Sequence, residues 1–342
     1  MDLTNLEKVS ENEPKYRLEQ AKDEIFKNLI DDWRKAGSFP MELREKLNAE
    51  CPLAIKAEVL ESKKEGSVKA RIILKDGLKV ETVLLNHRDG PARNAASIAA
   101  AGGRNTVCVS SQVGCPLGCL FCATGKMGFK RNLESLEIVE QALFFSRLLN
   151  RENKRVTNVV FMGMGEPFLN YENVISAVKI INGKNGLNIG ARFISISTVG
   201  IVEGIKKLSE ENLQVNLAIS LHAPNNPLRE KIIPSAKKYS IEEILKAVDG
   251  YIKKTKRQVM FEYILISGVN DSDECAFSLA KLMKKPLYFL NLILYNQTGE
   301  FKPSSQARVK KFKEILEKER IYFSQRHKFG QDIKAACGQF TD

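Results

Sequence analysis

The sequence predicts an α/β protein: an open, incomplete (β/α)6-type barrel that carries a small helical unit and a short β extension at its N-terminus. Two patterns support this. From residue 107 onward, short runs rich in β-branched and aromatic residues alternate with amphipathic helical segments, as in a parallel sheet covered by helices. Before residue 107 the periodicity is different, first helical and then alternating. The strand and helix repeats number about six or seven, too few for a closed eight-stranded barrel, and such folds present their chemistry at the C-terminal ends of the strands.

Residues 14–35 place Leu18, Ala21, Ile25, Leu29 and Ile30 at helical spacing among charges, with Pro14 where a first turn tolerates it. A second helix through Leu43 and Leu47 ends before Pro52, which gives a helical accessory unit over 1–52. Alternating segments at 55–62, 67–74 and 78–85, the last two separated by Lys75-Asp76-Gly77, predict a short antiparallel sheet. With the Ala-, Gly- and Asn-rich stretch 86–105, which reads as a loop or a marginal helix, they form an extension over 53–106. The barrel, 107–342, has expected strands at 157–162, 192–197, 214–220, 258–265, 287–292 and 321–324, and one leading into Cys115. Helices are expected at 135–149, 171–181, 241–253, 273–284 and 305–319.

The net charge of +12 suits a polyanionic partner, because Lys and Arg gain affinity by releasing counterions from phosphates. Residues 1–106 are nearly balanced, with 19 Lys+Arg against 18 Asp+Glu, so the excess lies in the barrel. No apolar run approaches the roughly 18 to 20 residues that span a bilayer, and the first residues lack the apolar core of a signal peptide. A cytoplasmic location is expected. Seven cysteines in a reducing compartment then read as metal and redox chemistry and not as a disulfide framework.

Three of them, Cys115, Cys119 and Cys122, lie in a C-x3-C-x2-C run. Three thiolates so placed can hold three corners of a cubane iron–sulfur cluster, leaving one iron open for a substrate. A structural zinc site is the competing reading. It wants a fourth ligand, and Cys108, seven residues upstream, is near enough in sequence to be one. On that reading the chain would be an RNA-binding or assembly protein without catalysis.

Other polar residues fall at expected strand ends. Gly165 lets backbone approach a ligand closely, and Glu166 can accept from an ammonium. Ser197, Ser220, Leu221, His222 and Asn296 follow successive strands, where hydroxyls and an imidazole can bind a carboxylate or a ribose. Cys337 sits in a small-residue C-terminal tail.

Taken together, CVSSQVGCPLGCLFCATG, FMGMGEPFLNYENV, ISTVGI, NLAISLHAP, GVND and DIKAACGQ resemble the RlmN/Cfr family of radical-SAM RNA adenine methyltransferases, from about Glu13 to the C-terminus. The resemblance implies a radical-SAM barrel with one [4Fe-4S] cluster on Cys115, Cys119 and Cys122. It also implies two molecules of S-adenosylmethionine (SAM) per turnover, contacted by Gly165, Glu166, Ser197, Ser220, Leu221, His222 and Asn296. The implied substrates are an adenosine of 23S ribosomal RNA in the peptidyl transferase centre and, for the RlmN branch, an adenosine beside the tRNA anticodon.

In this family one SAM methylates the residue matching Cys337, and a radical generated from a second SAM abstracts hydrogen from that methyl group. The carbon radical adds to adenine, Cys108 resolves the covalent adduct as a disulfide, and the glutamate matching Glu81 takes the ring proton. The implied partners are 23S rRNA, tRNA and a flavodoxin-like electron donor, with the protein a monomer whose helical unit binds folded RNA and whose Lys126, Lys130 and Arg131 meet phosphates. Cfr-type methylation at C8 of the same rRNA adenosine is the alternative product, and Glu166-Pro167 favours C2. Two departures from the family pattern stand, the long 86–105 link and Gln297 where a proline is usual.

Overall fold

The computed structural model describes residues 4–9, 13–14, 16–87, 103–326, 330 and 332–341. Helices α1 (Thr4–Val9), α2 (Tyr16–Phe26) and α3 (Met41–Glu50) pack around Trp33. The Trp33 indole is fully buried, stacks on Phe39 and donates from Nε1 to the Cys51 carbonyl at 2.7 Å. The helix expected over 14–35 stops at Phe26. Lys27 and Asn28 both donate to the Asp23 carbonyl, Leu29 takes a left-handed φ of 56°, and Asp32 caps a separate turn at Trp33–Lys35. Ile30 is buried all the same, so its apolar side chain belongs to the core and not to a helical stripe.

Strands β1 (Ala57–Glu61), β2 (Val68–Ile73) and β3 (Lys79–His87) form the expected antiparallel extension. It does not stand apart: β3 pairs antiparallel with β4 (Arg104–Val109), Val83 opposite Cys108, and so joins the main sheet. Most of the 86–105 stretch, residues 88–102, lies outside the described residues. Its two ends, Asn86 and Asn105, are paired across β3 and β4.

After β4 the chain forms a small hairpin, β5 (Gln112–Gly114) with β6 (Phe129–Asn132), enclosing the cysteine loop and the one-turn α4 (Ala123–Lys126). Then strand and helix alternate: α5 (Ser135–Asn150), β7 (Asn158–Phe161), α6 (Tyr171–Asn182), β8 (Ile194–Thr198), α7 (Val202–Glu210), β9 (Asn216–Ser220), α8 (Asn226–Ile232), α9 (Ile241–Thr255), β10 (Val259–Leu265), α10 (Asp273–Met283), β11 (Tyr288–Leu294), α11 (Gln306–Lys318) and β12 (Phe323–Gln325). Two of these helices, α7 and α8, are not among the expected ones; α8 is only seven residues long and carries a proline in its first turn.

Among the described residues the main sheet runs β1-β2-β3-β4-β7-β8-β9-β10-β11-β12, parallel from β4 onward. It ends on β1 and β12 without closing, as an open barrel should. The parallel strands read as nearly continuous apolar runs because helices cover one face and the barrel interior the other. Capping boxes at Glu134/Glu137 and Ser240/Glu243 start α5 and α9 where the chain leaves a loop. Among the described residues no helix is long and apolar enough to cross a membrane.

Candidate active site

The site lies at the C-terminal ends of the parallel strands. Its first wall is the cysteine loop, whose shape depends on the β5/β6 hairpin. Cys115 N donates to the Gly128 carbonyl at 2.9 Å, and Gly114 must be glycine there: its φ is +74° and a Cβ would lie 1.9 Å from the Gly128 oxygen. Cys115, Cys119 and Cys122 all face one open cleft.

Burial pushes the Cys115 thiol up to about 12 and raises Cys119 and Cys122 as well; the charge of Cys122 and then of Cys115 raises Cys119 further. Three thiols that desolvation and one another's charge hold protonated need a cationic centre to become thiolates together, which is what cluster iron supplies. Among the described residues no three His, Cys, Asp or Glu side chains converge on a point where one metal ion could sit. The three cysteines that line this one cleft match three corners of a cluster. Cys108, the fourth ligand of the zinc reading, does not line this cleft.

The floor is built from strand ends. Gly165, with φ +98°, passes so close to Gln112 that a Cβ would sit 2.6 Å from its side chain. Glu166 is buried and oriented, accepting from Phe168 N at 3.0 Å and Val199 N at 2.8 Å, and burial raises its carboxyl to about 7. Ser197 and Ser220 hydroxyls lie 3.3 Å apart across β8 and β9.

His222 sits at φ 60°, edge-on to Phe121, and its Nδ1 accepts from Ile264 N at 3.1 Å. Its proton therefore rests on Nε2. Burial, with Arg229 nearby, lowers its pKa to about 3, so the ring is a neutral donor. The GVND segment explains itself here: Asn270 donates to the carbonyls of His222 (2.8 Å) and Ile264 (2.6 Å) and braces the turn. Leu221 does not line the cleft. Its side chain is buried and its carbonyl accepts from the buried Arg229, which also holds the Tyr239 and Val199 carbonyls.

The roof is the C-terminal tail. Gly338 O accepts from Ala123 N at 2.7 Å and Phe340 O from Thr124 Oγ1 at 2.8 Å, tying the tail to the cysteine loop. Asn296 Nδ2 donates to the Cys337 carbonyl at 3.3 Å. Cys337 thereby lines both the cleft of the three cysteines and an adjoining cavity that contains Cys108 and Asn296. Burial first, then the charge of Cys337, raises the Cys108 thiol to about 12, and both cysteines are free.

Glu81 is not where composition would put it, on an exposed strand face. It is fully buried, paired with Lys69 at 2.6 Å and Arg71 at 3.4 Å, and accepts from Thr341 N at 2.9 Å. It lines neither cavity. Arg131, expected to meet phosphate, is committed to Asp76 and Glu137, both at 2.7 Å.

Two site residues escaped the sequence reading. Arg326 lines both cavities, and its guanidinium faces Cys337, Glu262 and Cys108, whose charges raise its pKa. It lies just past β12, so the strand-end rule could have found it. Glu262, mid-strand and held by Asn291 at 2.9 and 3.2 Å, carried no such signal.

A three-cysteine loop at the mouth of an open parallel barrel, over glycine, carboxylate and hydroxyl groups, defines a radical SAM enzyme, and residues 109–279 match the Radical SAM superfamily. The chain is 44% identical over 330 residues to the probable dual-specificity RNA methyltransferase RlmN of Dictyoglomus thermophilum, covering 96% of this chain and 90% of that protein. It is also 44% identical to the ribosomal RNA large subunit methyltransferase N of Nitrosopumilus maritimus, covering 95% and 92%. The crystal structure of a radical SAM methyltransferase from Sphaerobacter thermophilus superposes with a TM-score of 0.91 at 39% identity, over 99% of this chain and 97% of that one. The chain belongs to the RlmN family of radical SAM RNA methyltransferases.

Proposed function

We propose that the protein methylates C2 of one adenine in 23S ribosomal RNA and one in tRNA, with Cys337 as the carrier of the new carbon. The observation that carries this is the position of Cys337, in the wall shared by the three-cysteine cleft and the cavity of Cys108. An amidine carbon such as C2 has no nucleophilic pair, so methyl transfer by simple displacement cannot reach it. When bound, one [4Fe-4S] cluster on Cys115, Cys119 and Cys122, with SAM and an external one-electron donor, supplies the radical chemistry this carbon requires.

The chain's own groups do the rest. Gly165 opens backbone to the SAM methionine moiety, Glu166 accepts from its ammonium, and Ser197, Ser220 and His222 donate to its carboxylate and ribose. The Cys337 thiolate, faced by the Arg326 guanidinium, accepts a methyl group from a first SAM. Bonding that carbon to adenine C2 would cost the S-methyl group one hydrogen atom, taken by the radical from a second SAM, and the adduct one electron; Glu81 takes the C2 proton, and the Cys108 thiolate attacks the Cys337 sulfur while the released carbon takes up a proton. The sulfur–carbon bond breaks, methylated RNA leaves and a Cys108–Cys337 disulfide remains, to be reduced before the next turnover. Glu81 can serve only after the Thr341 amide has left its carboxylate.

The helical unit, residues 1–52, serves as an RNA-binding accessory that recognises shape. Phosphate contacts fall to exposed barrel cations such as Lys130.

Mass spectrometry of rRNA and tRNA digests after reaction with reconstituted enzyme tests the proposal. 2-Methyladenosine in both RNAs is expected. 8-Methyladenosine, or no methylation by a protein that cleaves SAM, would refute it. Cys337→Ala should abolish methylation, and Cys108→Ala should leave RNA covalently bound to the protein.

A further inference from the structure

Lys69 is a buried cation to which the reaction gives no task. Its Nζ lies 2.6 Å from Glu81 Oε1, donates to the Lys334 carbonyl at 3.2 Å and faces the Phe340 ring at 5.9 Å. The other oxygen of Glu81 accepts from Thr341 N at 2.9 Å. One ammonium and its carboxylate partner therefore grip the tail on both sides of Cys337, three residues before it and three to four after. Arg71, at 3.4 Å from Glu81, adds a second cation from the same strand. Charge-assisted hydrogen bonds to backbone in a buried setting are strong, and breaking a buried pair by removing one partner is costly.

The geometry points to a clasp: the Lys69–Glu81 pair holds residues 334–341 closed and thereby sets where the Cys337 sulfur sits. This rests on the reading of Cys337 as the methyl carrier and makes Lys69 a positioning residue for it. The clasp also orders events. While the tail is closed, Glu81 is occupied by the Thr341 amide. When the tail lifts, the same motion releases Cys337 from the cysteine loop and frees the Glu81 oxygen that Thr341 held to accept a proton, while Lys69 and Arg71 stay on the other oxygen.

Amide hydrogen exchange on the full, cluster-reconstituted chain tests this without requiring turnover. In Lys69→Met the peptide covering 332–341 is expected to exchange at least about tenfold faster, the change expected when a buried hydrogen bond worth ~1.4 kcal/mol or more is lost. Thr341→Pro, which removes the N–H donated to Glu81 and leaves Lys69 in place, should loosen the same peptide even if Lys69→Met proves poorly folded. Lys69→Arg, which keeps the charge, should retain protection.

Exchange at the parental rate in both Lys69→Met and Thr341→Pro would overturn the clasp, as would a Lys69→Arg tail as loose as that of Lys69→Met. A parent protein that shows this exchange pattern but methylates no RNA would instead sink the methylation reading and leave the clasp standing.

Discussion

Cys108 and Cys337 differ by environment and not by chemistry. Cys108 is a strand residue, registered opposite Val83 and Val160, whose buried thiol is raised to about 12. A raised thiol pKa favours the neutral form, so at pH 8 roughly one Cys108 in ten thousand is thiolate, against roughly one in four for an unperturbed cysteine. Iodoacetamide at pH 8 should therefore alkylate Cys108 of the folded protein roughly a thousandfold more slowly than free cysteine, as followed by peptide mass spectrometry. Burial keeps the Cys108 thiol inert until its surroundings change.

His222 gives a second test at this scale. Its folded pKa, near 3, lies below the ordinary value of 6.5, so between these pH values the unfolded chain binds more protons. Stability must fall as pH drops through this window, with a slope of up to ~1.4 kcal/mol per pH unit from this group. In urea titrations of the apo protein, His222→Gln should show a correspondingly shallower loss.

At the scale of elements, the cysteine loop depends on a hairpin more than on its own residues. Gly114→Ala would drive a methyl into the Gly128 carbonyl, whereas a Cβ at Gly128 meets nothing within 4 Å. Both positions have positive φ and share the strain of ~1–2 kcal/mol, so only the clash separates them. After reconstitution Gly114→Ala should hold less than half the parent's iron per chain, and Gly128→Ala should hold most of it.

This hairpin was only half legible in the sequence. The strand into Cys115 was expected, but three residues pairing with Phe129–Asn132 across a loop give no period to read. The barrel strands were legible because burial on both faces leaves continuous apolar runs. Helix α2 was overextended because Ile30 satisfies a helical period from outside the helix. The tail's contacts were invisible for another reason: Lys69 meets Phe340, and Glu81 meets Thr341, only through folding, each across more than 250 residues.

For the whole molecule, Arg147 on α5 joins the two parts of the fold. Its guanidinium donates to Leu53 O at 2.8 Å and to Ile30 O, both in or beside the helical unit. Hydrogen bonds from a charged donor contribute ~1.5–3 kcal/mol each, so Arg147→Met should loosen the helical unit from the barrel. RNA methylation should then fall, through a higher KM for RNA, while SAM cleavage without RNA persists at the parental rate. Equal losses in both assays would contradict a role for the helical unit in holding RNA.

The attachment of the tail to Ala123 and Thr124 has one more consequence. On the proposed roles, the sulfur that carries the methyl group takes its footing from the same short segment that would hold the cluster. Oxidative loss of iron that unravels this segment would then displace Cys337 too, and the damaged protein would fall silent as a unit instead of wasting methyl donor in idle self-alkylation.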